Sequence, residues 1–316
     1  MRNAFARTMT ELAGQDPRVV LLSGDIGNRL FDDYKGAFPD RFLNCGVAEA
    51  NMIGLAAGMA MSGLRPVAYT ITPFVTTRVL EQIRVDVAYQ DVPVVIAGVG
   101  AGLSYASLGG THHSCEDIAF LRAIPGMSVV CPGDAHEVTA ALRAAVDHGG
   151  PVYLRLGKKG EPLVHDAEPE GFRIGEGLEL RSGSDACLLS TGNLLPLAME
   201  AADALEVRGV STTVVSFHTV KPLDTALLND AFAGHSVVAT VEEHSVIGGL
   251  GGAVAEWAID SGTARTGAQL VRIGTPDAFL HESGGQGHAR EQTGLTVDSI
   301  AARVVAAHEG AASVAR

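Results

Sequence analysis

Glu49 opens an almost wholly apolar stretch of the sequence. The residues from Ala50 to Gly58 are alanine, methionine, isoleucine, leucine and glycine, with Asn51 as the polar exception. This pattern predicts a buried helix over residues 49–62 with Glu49 in its first turn. The helix N-terminus stabilises the carboxylate, whereas burial raises the pKa of a carboxyl group. Such opposed effects prepare a group that exchanges a proton near neutral pH, although an acid here also serves simply as a partner of the helix dipole.

Two adjacent histidines form a second candidate site. His112 and His113 follow a pair of glycines at positions 109 and 110. We expect a flexible loop that presents the imidazoles to a ligand at the carboxyl ends of the strands, where open α/β sheets bind ligands. The same pair is also compatible with two histidines on an ordinary surface. Adjacent side chains diverge and no third ligand has suitable spacing, so we predict no metal site.

Short apolar runs alternate with helical patterns around both candidate sites. Nearly continuous apolar strands that alternate with helices are typical of a parallel sheet covered on both faces. The alternation resumes in the second half of the chain, from residue 186 onward. The predicted fold class is therefore α/β, with two doubly wound domains. In the first half, the predicted strands begin near residues 19, 66, 93, 127 and 151, and the predicted helices span residues 49–62, 74–89, 116–123 and 134–147.

Between the two alternating regions lies a stretch that lacks a sustained apolar period. It contains several prolines and glycines, and we interpret it as a linker. The predicted organisation is a first domain over residues 1–160, a linker over residues 161–182 and a smaller α/β domain over residues 183–316. The length of 316 residues agrees with two domains, because single hydrophobic cores stop growing at about 250–300 residues.

The composition argues against several classes of protein. The chain is 19% charged with a formal net charge of −13, which argues against nucleic acid or an anionic membrane as the main partner. No apolar run reaches the roughly 18 residues of a membrane span, and the first residues lack the continuous apolar core of a signal peptide. We therefore expect a cytoplasmic location. The four cysteines are far apart without C-x-x-C spacing, which argues against a disulfide framework or a thiolate metal site.

A series of short motifs resembles the transketolases. The resemblance covers nearly the whole chain, and its strength lies in the joint order and spacing of motifs that are weak one by one. Four motifs resemble the pyrimidine-binding domain: Leu-Ser-Gly-Asp-Ile-Gly at 22–27, Cys-Gly-Val-Ala-Glu-Ala-Asn-Met at 45–52, Gly-Gly-Thr-His-His at 109–113 and Ile-Pro-Gly-Met at 124–127. Three are similar to the C-terminal domain: Lys-Pro-Leu-Asp at 221–224, the run at 241–251 that begins Val-Glu-Glu-His, and Arg-Ile-Gly-Thr-Pro-Asp at 272–277.

This resemblance implies a transferase that uses thiamine diphosphate. It would transfer a two-carbon ketol or acyl unit from a ketose phosphate or a 2-oxo acid to an aldehyde or a related acceptor. Transketolases bind the diphosphate and Mg²⁺ through a Gly-Asp-Gly motif followed downstream by an asparagine, and the sequence lacks that motif. The chain therefore resembles the small subunit of a split transketolase. An N-terminal, diphosphate-binding subunit would hold the Mg²⁺ in an α2β2 assembly.

The resemblance also assigns roles around the cofactor. Glu49 matches the glutamic acid that hydrogen-bonds N1′ of the pyrimidine and drives its conversion to the imino form. Phe74 matches the aromatic residue that stacks on the pyrimidine, and Ile71 stands where the family usually has another ring. Asp25 and Arg78 lie in matching segments and are expected to line the pocket.

On the substrate side, the resemblance assigns His112 to the oxygens of the donor. Arg155, with Lys158 as the second choice, lies where family members place a cation for a substrate phosphate, and a guanidinium suits that task. Two positions depart from the family pattern, because Leu108 replaces an aspartate and Gly100 replaces a histidine. These changes predict a more apolar pocket and a smaller or less hydroxylated donor, such as a 2-oxo acid.

Three other functions remain open at this point. The β subunit of a 2-oxo acid dehydrogenase shares the two-domain architecture and also supplies a glutamate to thiamine. A non-catalytic paralogue would carry a damaged cofactor position, whereas Glu49 and Phe74 are both intact. A nucleotide-binding protein is a weaker candidate, because the sequence lacks a phosphate-binding loop of the G-x-x-x-x-G-K-[ST] type.

Overall fold

The computed structural model describes residues 1–27, 29–265, 267–282 and 284–314. None of the helices in these ranges combines the length and the hydropathy that a membrane-spanning segment requires. The strands are β1 Val19–Ser23, β2 Phe42–Asn44, β3 Arg65–Ile71, β4 Val95–Val99, β5 Ser128–Val130, β6 Val152–Leu156, β7 Leu178–Arg181, β8 Ala186–Thr191, β9 Thr212–Ser216, β10 Thr219–Lys221, β11 Val237–Ser245 and β12 Gln269–Thr275. The helices are α1 Arg2–Gln15, α2 Asp32–Ala37, α3 Glu49–Met61, α4 Thr72–Val75, α5 Leu80–Gln82, α6 Asp117–Arg122, α7 Ala135–Asp147, α8 Leu195–Val207, α9 Thr225–Gly234, α10 Leu250–Asp260, α11 Gln286–Gln292 and α12 Val297–Val314.

The first sheet has seven strands in the order β10-β5-β6-β4-β3-β1-β2, and all pairs except β10 with β5 are parallel. Leu22, Ala68, Ile96 and Tyr153 lie side by side across its four central strands, β1, β3, β4 and β6. The carboxyl ends of these strands therefore meet at one edge. The loops that leave this edge carry nearly all of the candidate site residues, as open parallel sheets require.

The second sheet has five strands in the order β12-β11-β8-β9-β7. Its strands are parallel except for β7, which pairs antiparallel with β9. The prediction of a linker up to residue 182 is wrong at this point, because β7 is part of the sheet. Its residues are only half-buried at the sheet edge, so they lack the continuous apolar run that marks the other strands.

The two halves of the chain share one hydrophobic core. Leu22 and Met52 of the first half belong to the same buried cluster as Phe217, Val220 and Leu250 of the second half. Strand β10 extends this connection, since it follows β9 of the second sheet and yet pairs with β5 of the first. Three residues are too few for a periodic signal, so this crossing strand was not predicted.

The helix predicted over residues 74–89 is broken into several pieces. Helix α4 is followed by a 3₁₀ turn, Thr77–Val79, by α5 and by a π-helical segment, Ile83–Ala88. At the break, Thr76 leaves the helical region at φ −118° and ψ −82°, and its Oγ1 donates to the Thr72 carbonyl at 2.7 Å. Threonine side chains compete in this way with the helical hydrogen bonds of the backbone.

Helix α3 is buried on one side only, so the prediction of a wholly buried helix is wrong. Glu49, Met52, Ile53, Ala56, Ala57 and Ala60 are buried. The opposite face exposes Leu55 and Met61, and Val47, just before the helix, is 78% exposed. The sequence is apolar on both faces of α3, so its periodicity contains no signal that separates the face toward the core from the outer face.

Candidate active site

Glu49 lies on the buried side of α3 at the carboxyl edge of the first sheet. Its side chain is 4% exposed, because Met52 and Ile53, one helical turn further on, pack that face into the core. The carboxylate Oε2 accepts a hydrogen bond from Arg78 Nη1 at 2.8 Å. Glu49 Oε1 has no hydrogen-bond partner in the part of the chain that the structure describes. A buried carboxyl group thus keeps one oxygen free for a ligand.

Phe74 and Arg78 form the wall beside Glu49. The Arg78 guanidinium lies over the Phe74 ring, 4.2 Å from its centroid, and its side chain is 45% exposed. Phe74 lies before the break at Thr76 and Arg78 lies after it. Ile71, at the end of β3, is half-buried and packs against the cluster formed by α1, α7 and the sheet. Glu49, Phe74 and Arg78 are therefore brought together as predicted, and Ile71 lies at the base of the same loop.

His112 faces this group from the loop after β4. Its ring meets Phe74 edge-on, with 5.3 Å between the ring centroids and an angle of 67°. The Nδ1 atom hydrogen-bonds Thr111 Oγ1 at 2.9 Å. Burial lowers the pKa of His112 below its ordinary value, and the neighbouring His113 lowers it further. The imidazole beside Phe74 is therefore neutral at pH 7.

His113 has a different role from its neighbour. Its Nε2 donates to the Ala106 carbonyl at 3.1 Å, so the ring is turned back into its own loop. Gly102 and Ser114 exchange two backbone hydrogen bonds of 2.9 Å and close the base of that loop. His113 thus stabilises its own loop and does not face Phe74.

Asp25 is exposed just beyond β1 and is linked to the segment that precedes Glu49. One carboxylate oxygen accepts a hydrogen bond from Asn44 Nδ2 at 3.1 Å, and Asn44 Oδ1 accepts one from the Gly46 amide at 2.9 Å. Asp25 therefore lies at the same sheet edge as the other candidate residues.

Arg155 is not available to a substrate phosphate, so that prediction is wrong. Its side chain is buried, and its Nε donates to Asp117 Oδ2 at 2.7 Å. Its Nη2 donates to Asp117 Oδ1 and to the carbonyls of Ser114 and Glu243 at 3.0–3.1 Å. Burial by itself would raise the pKa of Asp117, but Arg155 and the Tyr153 hydroxyl outweigh it and lower that pKa below its ordinary value. The charge of Arg155 is thus neutralised inside the protein.

Lys158 is the other predicted cation and lies at the site edge. It lies two residues after β6. Beside it, the Gly100 amide donates to the carbonyls of Leu156 and Gly157 at 2.9 and 3.3 Å. The side chain is half-buried and has no ion-pair or hydrogen-bond partner among the described residues. Lys158 therefore remains free to bind an anion.

The second half of the chain holds the His112 loop through Glu243, a residue that the sequence analysis missed. Glu243 Oε1 accepts hydrogen bonds from the Leu103 amide at 2.8 Å and from Asn193 Nδ2 and Gln286 Nε2 at 3.0 Å. The other oxygen contacts Arg290 Nε. The available signal was the sequence Glu-Glu-His at the end of an apolar run, because charged residues are buried only where they are paired.

Glu242, next to it, binds a helix N-terminus instead. Its carboxylate accepts hydrogen bonds from the amides of Leu250 and Gly251 at 2.7 and 2.8 Å, at the start of α10. Burial raises the pKa of Glu242 to about 7, against the opposing effect of these two amides. The site thus has an open part with one free carboxylate oxygen and a closed part in which buried charges are paired.

Comparison with known proteins identifies the family. The model of the transketolase pyrimidine-binding domain matches residues 1–161, and that of the transketolase C-terminal domain matches residues 175–300. The chain belongs to the transketolase family. This finding confirms the predicted family and the predicted α/β fold with two domains.

Two relatives and one solved structure match this transketolase-family chain over most of its length. The chain is 38% identical over 312 residues to the 6-deoxy-6-sulfo-D-fructose transketolase subunit of Clostridium sp. strain MSTE9, and the match covers 98% of this chain and 94% of that protein. It is 36% identical over 256 residues to a subunit of the apulose-4-phosphate transketolase of Phocaeicola vulgatus, covering 81% of this chain and 82% of that protein. A split gene transketolase, solved as an inactive beta4 tetramer, superposes with a TM-score of 0.89 at 35% identity over 98% of both chains.

The matches cover 94%, 82% and 98% of these three transketolase relatives, so each is similar in length to this chain. They favour a split transketolase subunit over the β subunit of a 2-oxo acid dehydrogenase and over a non-catalytic paralogue. Transketolases are transferases that use thiamine diphosphate.

The residues around Glu49 fit the aminopyrimidine of thiamine diphosphate. The Arg78 guanidinium is planar, donates an N–H to Glu49 and lies on the face of Phe74. An aminopyrimidine needs the same two contacts, a carboxyl group at its ring nitrogen and an aromatic surface on its face. The free Glu49 Oε1 and the Phe74 ring provide these two groups, and Arg78 lies beside both.

Proposed function

We propose that this chain is the small subunit of a two-chain transketolase that transfers a two-carbon ketol unit from a ketose to an aldehyde. The observation that carries the proposal is the grouping of Glu49, Arg78, Phe74 and His112 at one sheet edge, in a chain that matches the pyrimidine-binding and C-terminal domains and resembles split transketolase subunits over most of their length. This combination supports half of a thiamine site, and the other half belongs to a partner.

Glu49 supplies the proton chemistry of the cofactor site. Its buried carboxyl group holds a proton at the pyrimidine ring nitrogen through the free Oε1 atom. When bound, thiamine diphosphate supplies the nucleophilic carbon that accepts the two-carbon unit. Burial excludes water from the carboxyl group, so its hydrogen bond to the ring nitrogen is stronger than it would be in solution.

Phe74 and His112 supply orientation. The half-buried Phe74 ring offers an aromatic face for the pyrimidine, and Arg78 moves off that face when the ring binds. The neutral His112 beside it donates or accepts a hydrogen bond without adding a charge. A neutral imidazole suits the hydroxyl and carbonyl oxygens of a sugar.

A partner subunit supplies the diphosphate and Mg²⁺ site. Val47, Leu55 and Met61 of the α3 region are exposed, and Tyr89, after the adjacent π-helical segment, is 83% exposed. Exposed apolar residues grouped beside a functional site mark a protein interface. We infer that an N-terminal transketolase subunit covers this face in an α2β2 assembly. The beta4 form of the split gene transketolase is described as inactive, and this chain without its partner is inactive in the same way.

Lys158 is the anion-binding residue for the distal end of the donor. Arg155 is neutralised by Asp117, whereas Lys158 has a free side chain at the site edge. The named relatives act on a sulfo sugar and a sugar phosphate, each with an anionic end. A ketose with a distal anion therefore suits this site better than pyruvate, whose carboxylate is next to the reacting carbonyl.

The first prediction concerns Glu49→Gln. The chain is mixed with the subunit that carries the Gly-Asp-Gly motif, and thiamine diphosphate-dependent turnover is measured with xylulose 5-phosphate and with pyruvate. Glu49→Gln should lower turnover by about 100-fold or more, because the amide cannot exchange the proton. Glu200→Gln, on an exposed face of α8, is the matched control and should behave like the unmodified chain. Substantial activity in Glu49→Gln, or efficient use of pyruvate alone, would contradict the proposal.

A further inference from the structure

Tyr105 fills the space above the residue that follows β4. Gly100 has φ +81°, and a Cβ atom built on it would lie 2.0 Å from Tyr105 Cε2 and 2.1 Å from Cδ2. No other residue type can stand at Gly100 while the Tyr105 ring is in this position. The Tyr105 ring can therefore take this position only because residue 100 is a glycine.

The Tyr105 ring belongs to the same aromatic wall as His112. The two rings meet edge-on, with 6.4 Å between their centroids and an angle of 86°. His112 in turn meets Phe74 at 5.3 Å. Tyr105, His112 and Phe74 thus form a continuous row from the end of β4 to the Glu49 carboxyl group.

The Tyr105 hydroxyl has no protein partner. No hydrogen bond joins it to any residue in the part of the chain that the structure describes, and it is not among the fully buried unpaired atoms. Tyr34 and Tyr153 differ, because their hydroxyls donate to the Val19 carbonyl and to Asp117. The Tyr105 hydroxyl is therefore accessible and free to donate to a ligand.

The backbone before Tyr105 is held in place by the second half of the chain. The Leu103 amide donates to Glu243, and Ser104 Oγ accepts hydrogen bonds from Asn193 and Gln286 at 3.3 and 3.4 Å. A Cβ atom at Gly102 would lie 2.6 Å from Glu243 Oε1, so this contact is also close. The ring is thus fixed from both sides, as a residue that positions a substrate must be.

We propose that Tyr105 is a substrate-binding residue, whose hydroxyl donates a hydrogen bond to an oxygen of the ketose donor bound against His112. This inference rests on the proposed function. It also revises the expectation from Leu108 and Gly100 that the pocket disfavours a hydroxylated donor, since the phenol restores a polar group at Gly100. The donor specificity of the site then depends on a pair of residues five positions apart.

The decisive variant is Tyr105→Phe, which keeps the ring and removes the hydroxyl. In the reconstituted two-subunit enzyme, kcat/KM for xylulose 5-phosphate should fall about tenfold, the effect of one neutral hydrogen bond, mainly through a higher KM. The thiamine diphosphate concentration for half-maximal activity should not change. Ser107→Ala, an exposed residue of the same loop, is the control and should leave both values unchanged. A kcat/KM within twofold of the unmodified enzyme overturns the inference.

Gly100→Ala tests the other member of the pair. The added methyl group should displace the ring and cause a loss at least as large as that of Tyr105→Phe, with thermal unfolding measured to verify the fold. The double variant should lose no more than Gly100→Ala alone, because the hydroxyl is already out of place. If the two losses in kcat/KM add in the double variant, Gly100 does not act by positioning the Tyr105 ring.

A binding measurement separates this inference from the proposed function. In the Glu49→Gln complex, where turnover is removed, calorimetry gives the affinity for xylulose 5-phosphate with and without Tyr105→Phe. A decrease of about tenfold supports a contact between Tyr105 and the substrate whatever the role of Glu49. Equal affinities, or no binding to either complex, overturn it. Activity that survives in Glu49→Gln contradicts the proposed function but leaves this comparison valid.

Discussion

Two arginine–carboxylate pairs lie near the His112 loop, and they have opposite environments. Arg78 bonds Glu49 through one nitrogen, and its side chain is 45% exposed. Arg155 bonds Asp117 through two nitrogens and is buried together with it. The first pair leaves a carboxylate oxygen free, whereas the second uses its hydrogen bonds within the protein. The Arg78–Glu49 pair can therefore bind a ligand through its free oxygen. The Arg155–Asp117 pair can only stabilise the fold.

The buried pair gives the largest expected effect. Arg155→Met should lower the free energy of unfolding by about 3–5 kcal/mol, because it leaves Asp117 buried without its partner. Urea denaturation followed by circular dichroism measures this loss. Arg173→Met is the matched control, because Arg173 pairs with Glu176 at the surface, and it should be as stable as the unmodified chain. Equal stabilities of the two variants would show that Arg155 is not part of the framework.

The Arg78–Glu49 pair should affect turnover more than stability. Arg78→Met should lower the free energy of unfolding by less than Arg155→Met does, because the Arg78 side chain is 45% exposed and bonds Glu49 through one nitrogen only. Turnover of the reconstituted enzyme should nevertheless fall about tenfold, because the hydrogen bond from Arg78 fixes the position of the Glu49 carboxylate. The same denaturation experiment and steady-state kinetics test both parts. A large loss of stability with full activity would reverse the roles of the two pairs.

The smallest expected effect on the free energy of unfolding concerns His165, a cation that loses its charge when the pH rises. His165 hydrogen-bonds Asp134 through Nδ1 at 3.2 Å, and its Nε2 lies 3.4 Å from Glu137. Burial by itself would lower the pKa of His165, but the two carboxylates outweigh it and raise that pKa above 6.5. Protonated His165 therefore stabilises the fold below pH 6.5, and the stabilisation is lost as the pH rises through the raised pKa.

Comparison of His165→Gln with the unmodified chain tests this pair. The difference in the free energy of unfolding should be largest near pH 6 and should shrink as the pH rises toward 8 and above. Urea denaturation at several pH values, with His136→Gln as the control on the adjacent helix, measures it. A difference that grows with rising pH would mean that His165 is neutral in the folded protein.

Much of the fold could be predicted, because most strands and helices show an apolar run or a helical period in the sequence. The central strands β1, β3, β4 and β6 are continuous apolar runs, and α7 lies within the helix predicted over residues 134–147. The missed elements are short or lie at edges. Strand β7 is half-buried and β10 has only three residues, so neither leaves a period long enough to recognise.

The candidate site shows the same division. Glu49 was found from its place at the start of an apolar helix and His112 from the histidine pair after two glycines, whereas the resemblance to transketolases supplied Phe74 and Arg78. Arg155 was assigned wrongly because a charged residue in an apolar strand gives no information about its partner. Its carboxylate, Asp117, is 38 residues away and belongs to a helix on the other side of the loop.

The sequence by itself therefore determined the order of the central strands and the longer helices, the family and the identity of the buried acid. These properties depend on periodicity and on motifs within a few residues. Only the tertiary structure decided which arginine–carboxylate pair leaves an oxygen free, that Tyr105 packs on Gly100, and that Glu243 holds the His112 loop from 140 residues away. Contacts of that kind depend on how two sheets and their loops pack together, and packing leaves no local pattern in the chain.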